Sequence, residues 1–147
     1  MPQLSVIIPV YNREKFLPQT LDSLLEQSSP DWEAILVDDH STDRSWQIAQ
    51  QYAGKDRRFR LFRRQASAKG ASVCRNEGIV HASHEYLIFL DSDDALAPHC
   101  IQSRLEYMSK HMALDFAAFF FYFFRNTPGD IQLLWNVKTH ENDLDRF

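Results

Sequence analysis

The chain has 147 residues and a mass of 17.2 kDa, the size of a single domain. Its 44% hydrophobic and 13% aromatic residues can build a core, which excludes a disordered or collagen-like chain. With 16 Lys+Arg against 20 Asp+Glu and a formal net charge of −4, it is also not a strongly basic nucleic-acid binder.

In chain order, residues 4–10 (LSVIIPV) are a β-branched apolar run and predict a buried strand ending at Tyr11-Asn12. Residues 13–28 carry Phe16, Leu17, Leu21, Leu24 and Leu25 near helical spacing, with Pro18 in the early turns. A second strand over 32–37 ends in Asp38-Asp39, and Ser41 or Thr42 can cap a helix running to about Tyr52. A short strand over 59–62 sits among basic residues, and 69–82 reads as a helix despite Gly70 and Gly78. Residues 86–90 (YLIFL) form a strong strand closed by Asp91-Ser92-Asp93-Asp94. Pro98 opens a helix reaching about His111, and 115–124 is a last aromatic strand. After the turn signal Pro128-Gly129-Asp130, IQLLWNV is a candidate further strand. Alternating strands and helices predict an α/β fold with a largely parallel sheet.

Two cysteines, Cys74 and Cys100, cannot make a disulfide scaffold and suit a reducing compartment. The opening MPQLSVIIPVYNREKF has no basic n-region, and its apolar run is short, so no signal peptide is expected. The richest apolar stretch is too short to span a bilayer as a helix.

Ligands of open parallel sheets bind beyond the carboxyl ends of the strands. Here those ends carry Tyr11-Asn12, Asp38-Asp39 and Asp91-Ser92-Asp93-Asp94. Each could be an ordinary turn or cap, but three on one edge point to a site. In extended backbone Asp91 and Asp93 would project to the same side, their Cα atoms about 6–7 Å apart. Such a pair suits a hard divalent cation, Mg²⁺ or Mn²⁺, which can also hold phosphate oxygens. No His/Cys cluster has zinc spacing and no calcium loop is present. Asp38-Asp39 can accept hydrogen bonds from a nucleobase or a ribose. Together these features predict a nucleotide with its base near the second strand and its phosphates at the Asp91/Asp93 cation. The chain has neither a G-x-G-x-x-G nor a P-loop, which weakens dinucleotide and P-loop readings, and the lack of G-x-S-x-G removes support for a hydrolase triad.

SVIIPVYN (5–12), VDDHSTD (37–43), GASVCRNEGI (70–79) and YLIFLDSDD (86–94) stand in the order and spacing of the family 2 glycosyltransferases, which this chain resembles over roughly its first two-thirds. The resemblance implies a GT-A fold, inversion, a nucleoside-diphosphate-sugar donor (usually a UDP-sugar) and a divalent cation. It implies that Pro9 and Tyr11 line the base pocket, Asp39 binds the uracil edge, Asp38 supports that loop and Arg75 approaches the nucleotide. Asp93 is then the expected metal contact, with Asp91 nearer the ribose or a metal-bound water, and Asp94 a helix cap or loop brace. Residues 1–125 would be the nucleotide-sugar-binding core and 126–147 the start of an incomplete acceptor region. The acceptor, whether glycan, lipid or small molecule, is open, as are self-association and peripheral contact with a membrane; no nucleic-acid partner is expected, and the location is cytoplasmic. Two alternatives stand beside this. One is a non-catalytic or incomplete nucleotide-sugar-binding module that needs a partner chain. The other, a metal-dependent phosphohydrolase or nucleotidyltransferase, leaves SVIIPVYN and VDDHSTD unexplained.

The sequence departs from the family at two places. His40 replaces the usual Gly of the D-D-G-S-T-D loop, where left-handed backbone would strain it. The family's E-D pair and Q-x-x-R-W are absent, so the catalytic base is unassigned, and Asp143 is a weak candidate in an acidic tail. The basic run Lys55, Arg57, Arg58, Arg60, Arg63 and Arg64 reads as a charge-protected edge strand, or as contact with anionic lipid. The aromatic run from Phe116 to Phe124 reads as a central strand buried on both faces, and Trp32, Trp46 and Trp135 as core or sugar-stacking residues.

Overall fold

The computed structural model describes residues 3–119 and, as backbone alone, the pairs 122–123 and 133–134. It contains two compact units, Met1–Met112 and Ala113–Phe147. The first runs β1 (Leu4–Val10), α1 (Leu17–Leu25), β2 (Trp32–Asp38), α2 (Ser45–Lys55), β3 (Phe59–Arg63), α3 (Ala71–His81), β4 (Tyr86–Phe89) and α4 (Cys100–Lys110). Its four strands form one sheet in the order β3-β2-β1-β4, every pair parallel. This is the expected α/β architecture of a parallel sheet flanked by helices.

Strand periodicity divides the core. Leu4, Val6, Ile8 and Val10 face one side, with Ala34 and Leu36 beside them, and meet Leu17, Leu21 and Leu24 of α1, Ala49 of α2, and Ile101 and Leu105 of α4. Ile7, Ile35 and Val37 face the other side and meet Cys74 of α3, with Phe62 packed against them. α3 approaches β1 so closely that a Cβ on Gly78 would collide with the Ile7 side chain. Glycine inside this helix therefore serves packing rather than a turn.

Pro9 sits inside the central strand β1 without leaving a gap in the ladder. Val10 O accepts from Asp39 N on the β2 side and Ile7 O from Leu90 N on the β4 side. Alternation therefore turns the position of the missing Pro9 N–H toward β4, whose pairing has already ended at Ile7↔Phe89.

At the amino end of the sheet, Glu33 is buried and pinned on the α3 face. It accepts from Ser5 Oγ at 2.7 Å, Arg60 Nη1 at 2.8 Å and Ser83 N at 2.7 Å. Burial pushes its carboxyl up, but the Arg60, Ser83 and Ser5 hydrogen bonds outweigh this and hold it below the ordinary glutamate range.

Several expectations change. Helix α1 begins at Leu17 because 13–16 is a turn, in which Phe16 N and Leu17 N donate to Arg13 O. Neither Ser41 nor Thr42 caps α2; Asp43 Oδ1 instead accepts from Ser45 N at 2.9 Å. The aromatic run is not a doubly buried strand where it is described: Phe116 is 61% exposed, and no strand covers 115–119. The second unit has β5 (Tyr122–Phe123) antiparallel to β6 (Leu133–Leu134). Trp135 and Asp143 lie outside the described residues. The basic run does lie on and before the edge strand β3, with Lys55 and Arg57 exposed, but its other members have partners within the protein. Arg58 pairs with Asp56 and lies over the Trp32 ring, and Arg60 pairs with Glu33; Arg63 lies over Trp46, and Arg64 pairs with Asp39. Trp32 is core. Among the described residues no helix is long and apolar enough to cross a membrane.

Candidate functional site

The parallel register brings the carboxyl ends of β1, β2 and β4 to one edge. Val10 pairs with Asp38 and Ile7 with Phe89, so Tyr11, Asp39 and the Asp91 turn emerge together. The loop after β1 ties this edge to its neighbours. Asn12 adopts left-handed backbone at φ 50°, which its short polar side chain tolerates. Its Oδ1 accepts from Thr42 N at 2.8 Å, its N donates to Ser41 Oγ at 3.1 Å, and Arg13 N donates to Ser45 Oγ at 2.8 Å. Glu14 N donates to Asp43 Oδ2 at 3.0 Å. In the other direction Arg13 Nε reaches Asp93 Oδ2 at 3.2 Å, while its Nη1 holds the Tyr11 and Asn12 carbonyls. One loop thus links the β2 end to the acidic turn.

The acidic turn differs from the extended segment that the spacing suggested. Asp94 N donates to Asp91 O at 3.0 Å, closing a turn, and Ser92 is buried between the two exposed aspartates. Asp91 and Asp93 are engaged by different elements: Asp91 pairs with Arg75 of α3, and Asp93 with Arg13. Asp94 caps no helix, since α4 begins behind His99. Partial desolvation, then the charges of Asp91 and Asp93, raise its carboxyl above the ordinary aspartate value. Asp91 and Asp93 are exposed, hard oxygen donors, the donor type that a divalent cation takes. Among the described residues no group of three or more His, Cys, Asp or Glu side chains could cage a metal. A two-carboxylate site matches a cation whose other places are filled by water and phosphate.

Asp39 and Asp38 have separate situations. Asp39 N continues the ladder to Val10 O, Asp39 Oδ1 accepts from Arg64 Nε, and Oδ2 accepts from Gly70 N at 2.9 Å. Gly70 takes φ 109°, which lets the chain turn into α3 there. Burial raises the Asp39 carboxyl, but the Arg64 and Gly70 hydrogen bonds and the Arg64 and His40 charges outweigh it and hold it below the ordinary range. Asp38 is fully buried: Oδ2 accepts from Ser41 N at 3.1 Å and lies 3.7 Å from Arg63 Nε, while Oδ1 is without a partner. Its place is beneath the loop.

Tyr11 is 53% exposed on the rim, whereas Pro9 is buried within β1. Arg75 Nε is buried and unpartnered beside the Asp91 pair. His40 does take the left-handed conformation, at φ 59°, and stays exposed with Nε2 3.1 Å from Arg64 O, a loop contact. Cys74 is pushed up to about 11 by burial and by the Asp39 charge, so its thiol is inert.

Arg13 and Arg64 were not singled out for this site from the sequence. The signal was present: a parallel β2–β3 pair with Asp38 opposite Arg63 sets the Asp-Asp and Arg-Arg dipeptides side by side.

The chain is similar to known proteins in sequence and in fold. The sequence model described as "Glycosyl transferase family 2" matches residues 5–146. A Bacillus subtilis (strain 168) protein, TuaG, whose name provisionally gives it a glycosyltransferase role in teichuronic acid biosynthesis, is 38% identical over 130 residues, covering 88% of this chain and 51% of its own length. Among solved structures, S. aureus TarS 1–349 in complex with UDP-GlcNAc superposes with a TM-score of 0.69 at 31% identity, covering 75% of this chain and 32% of that one. The Pyrobaculum calidifontis mannosyltransferase PcManGT, in complex with GDP-Man and Mn²⁺, gives a TM-score of 0.57 at 27% identity over 64% of this chain and 28% of that one. The chain spans about half the length of TuaG and about a third of the TarS chain.

Proposed function

Because the chain belongs to glycosyl transferase family 2, we propose that it is the donor-binding part of an enzyme that transfers a sugar from a UDP-sugar to a hydroxyl acceptor with inversion. The observation carrying this is the convergence of Tyr11, Asp39 and the Asp91–Asp93 turn on one sheet edge, with Arg13 joining the Tyr11 carbonyl to Asp93. The similarity to a UDP-GlcNAc complex supports the nucleotide, and that to a Mn²⁺ complex the cation.

In this reading the base lies against the exposed Tyr11 ring, and Asp39, kept ionised, accepts its N–H. Asp38 braces the loop from below. The diphosphate reaches the acidic turn, where Asp93 and Asp91 would hold Mg²⁺ or Mn²⁺. Bound there, the cation supplies Lewis-acid stabilisation of the charge that grows on the departing diphosphate. Arg13 and Arg75 keep the two carboxylates in place and add positive charge on the same rim. An acceptor hydroxyl attacks the anomeric carbon from the opposite face, through an oxocarbenium-like transition state. The general base is unassigned; Asp143, the candidate from the sequence, lies outside the described residues.

The test is calorimetric titration of UDP with and without Mn²⁺, repeated with Asp93→Asn. Cation-assisted binding should fall by about tenfold or more in the variant, the loss of one charged contact. UDP release from a UDP-sugar and acceptor identifies the transferase; UDP binding without release identifies a binding module completed by another segment or chain. Phosphate release without sugar transfer would overturn the reading.

A further inference from the structure

We propose that Arg64 is a positioning residue for the nucleobase, acting through Asp39. The inference rests on the reading that Asp39 receives the base. Arg64 lies one residue past β3, and its N donates to Asp38 O at 3.0 Å, continuing the ladder. Its side chain is only 7% exposed. A guanidinium that deep must be paired, because its desolvation is otherwise uncompensated. Nε donates to Asp39 Oδ1 and Nη1 to Ala66 O, and its own carbonyl contacts His40 Nε2.

The loop 65–70 is fastened around it. Glu77 of α3 accepts from Gln65 N at 2.9 Å and Ala66 N at 2.7 Å, and Gly70 N takes the second Asp39 oxygen. Asp39 is thus gripped at both oxygens, from β3 and from the start of α3, which fixes the carboxylate plane. Each oxygen keeps acceptor capacity for a further donor. With its side chain 11% exposed, Asp39 offers that capacity through a narrow opening. The ionisable groups around it are Arg64 and Arg63 from β3 and its edge, His40 and Asp38 from its own segment, and Cys74 and Glu77 from α3.

Arg63 is the internal control. It is adjacent in sequence but 45% exposed, sits 3.7 Å from Asp38 and stacks on Trp46. A general need for positive charge would make the two arginines equivalent; positioning of Asp39 requires Arg64 alone.

The experiment titrates UDP and, separately, inorganic pyrophosphate, both with Mn²⁺, into the wild-type chain, Arg64→Gln, Arg64→Lys, Asp39→Asn, Arg63→Gln and the double variant Asp39→Asn/Arg64→Gln, from pH 5 to 8. Arg64→Gln should lose about tenfold in UDP affinity, Arg64→Lys less, and Arg63→Gln under about twofold. Pyrophosphate affinity should stay unchanged throughout, since it has no base. The double variant should lose no more than Asp39→Asn alone, the signature of action through a shared partner. The wild-type advantage over Arg64→Gln should widen as the pH falls from 7 to 5. Without the guanidinium, the burial that raises the Asp39 carboxyl is opposed by less, so it takes up a proton at higher pH than in the wild type and accepts more weakly once neutral, while the nucleotide phosphates titrate alike in both proteins. Additive losses, a ratio that narrows toward acid or equal loss of pyrophosphate would overturn the proposal. Undiminished UDP affinity in Asp39→Asn would overturn the reading beneath it. Should Arg64→Gln fail to fold, by circular dichroism, the cycle runs with Arg64→Lys.

Discussion

The two ends of the sheet use the same chemistry for different ends. At the amino end, Glu33 and Ser5 are buried, and Glu33 is held by three protein donors, Ser5, Ser83 and Arg60. At the carboxyl end, Asp93 meets Arg13 and Asp91 meets Arg75 where both partners remain substantially open to solvent. A carboxylate surrounded by protein donors is used for stability. One held by a single flexible arginine at the rim stays available to a ligand. Asp39 lies between these cases, partly buried and gripped twice, yet at the edge where the ligand is proposed to bind.

This contrast can be broken by mutation. Glu33→Ala should lower stability by about 2 kcal/mol, because it removes the acceptor of Ser5 Oγ and Ser83 N, whereas Arg60 keeps His81 O and Ser83 Oγ. Per folded molecule its UDP affinity should change less than about twofold, since nothing at the other edge touches it. Chemical denaturation followed by titration of the refolded protein checks both parts; an equal loss of affinity would show that the two ends are not independent.

A second, smaller effect is acid sensitivity. Glu33 is held below its ordinary value of 4.5 when folded. Its contribution is therefore present above that value and drains away as the pH falls below it toward the folded value. In Glu33→Gln, the part of the acid destabilisation due to this residue should vanish, measured as the denaturation midpoint between about pH 6 and 3.

The smallest effect is expected at the rim. Arg13→Gln should cost under about 1 kcal/mol of stability, the scale of an exposed ion pair. The same change should still alter Mn²⁺-assisted UDP binding, because it frees Asp93 and loosens the loop after β1. A large drop in melting temperature would place Arg13 with Glu33 among the structural pairs.

Much of the first unit was legible in advance. Strand β1 was read to the residue, and β2, β3 and β4 to within one, because buried parallel strands leave apolar β-branched and aromatic runs. Helix starts were less legible: Arg13 O captures Phe16 N and Leu17 N in a turn, and Asp43 rather than Ser41 or Thr42 serves α2. These choices depend on which polar side chain is left free by neighbouring loops. Ser41 was a reasonable cap by composition, yet its hydroxyl is taken by Asn12.

What the sequence by itself determined is the sheet, its strand ends and the acidic residues delivered to one edge, because hydrophobic period and turn chemistry act over short distances along the chain. Tertiary structure alone decided the partners: Arg64 under Asp39, Arg13 on Asp93, Arg75 on Asp91, and Asp38 as a buried brace rather than an open contact. A carboxylate carries no mark of which guanidinium will reach it. That assignment follows from the β2–β3 register and the packing of α3, which join residues 16 to 80 positions apart.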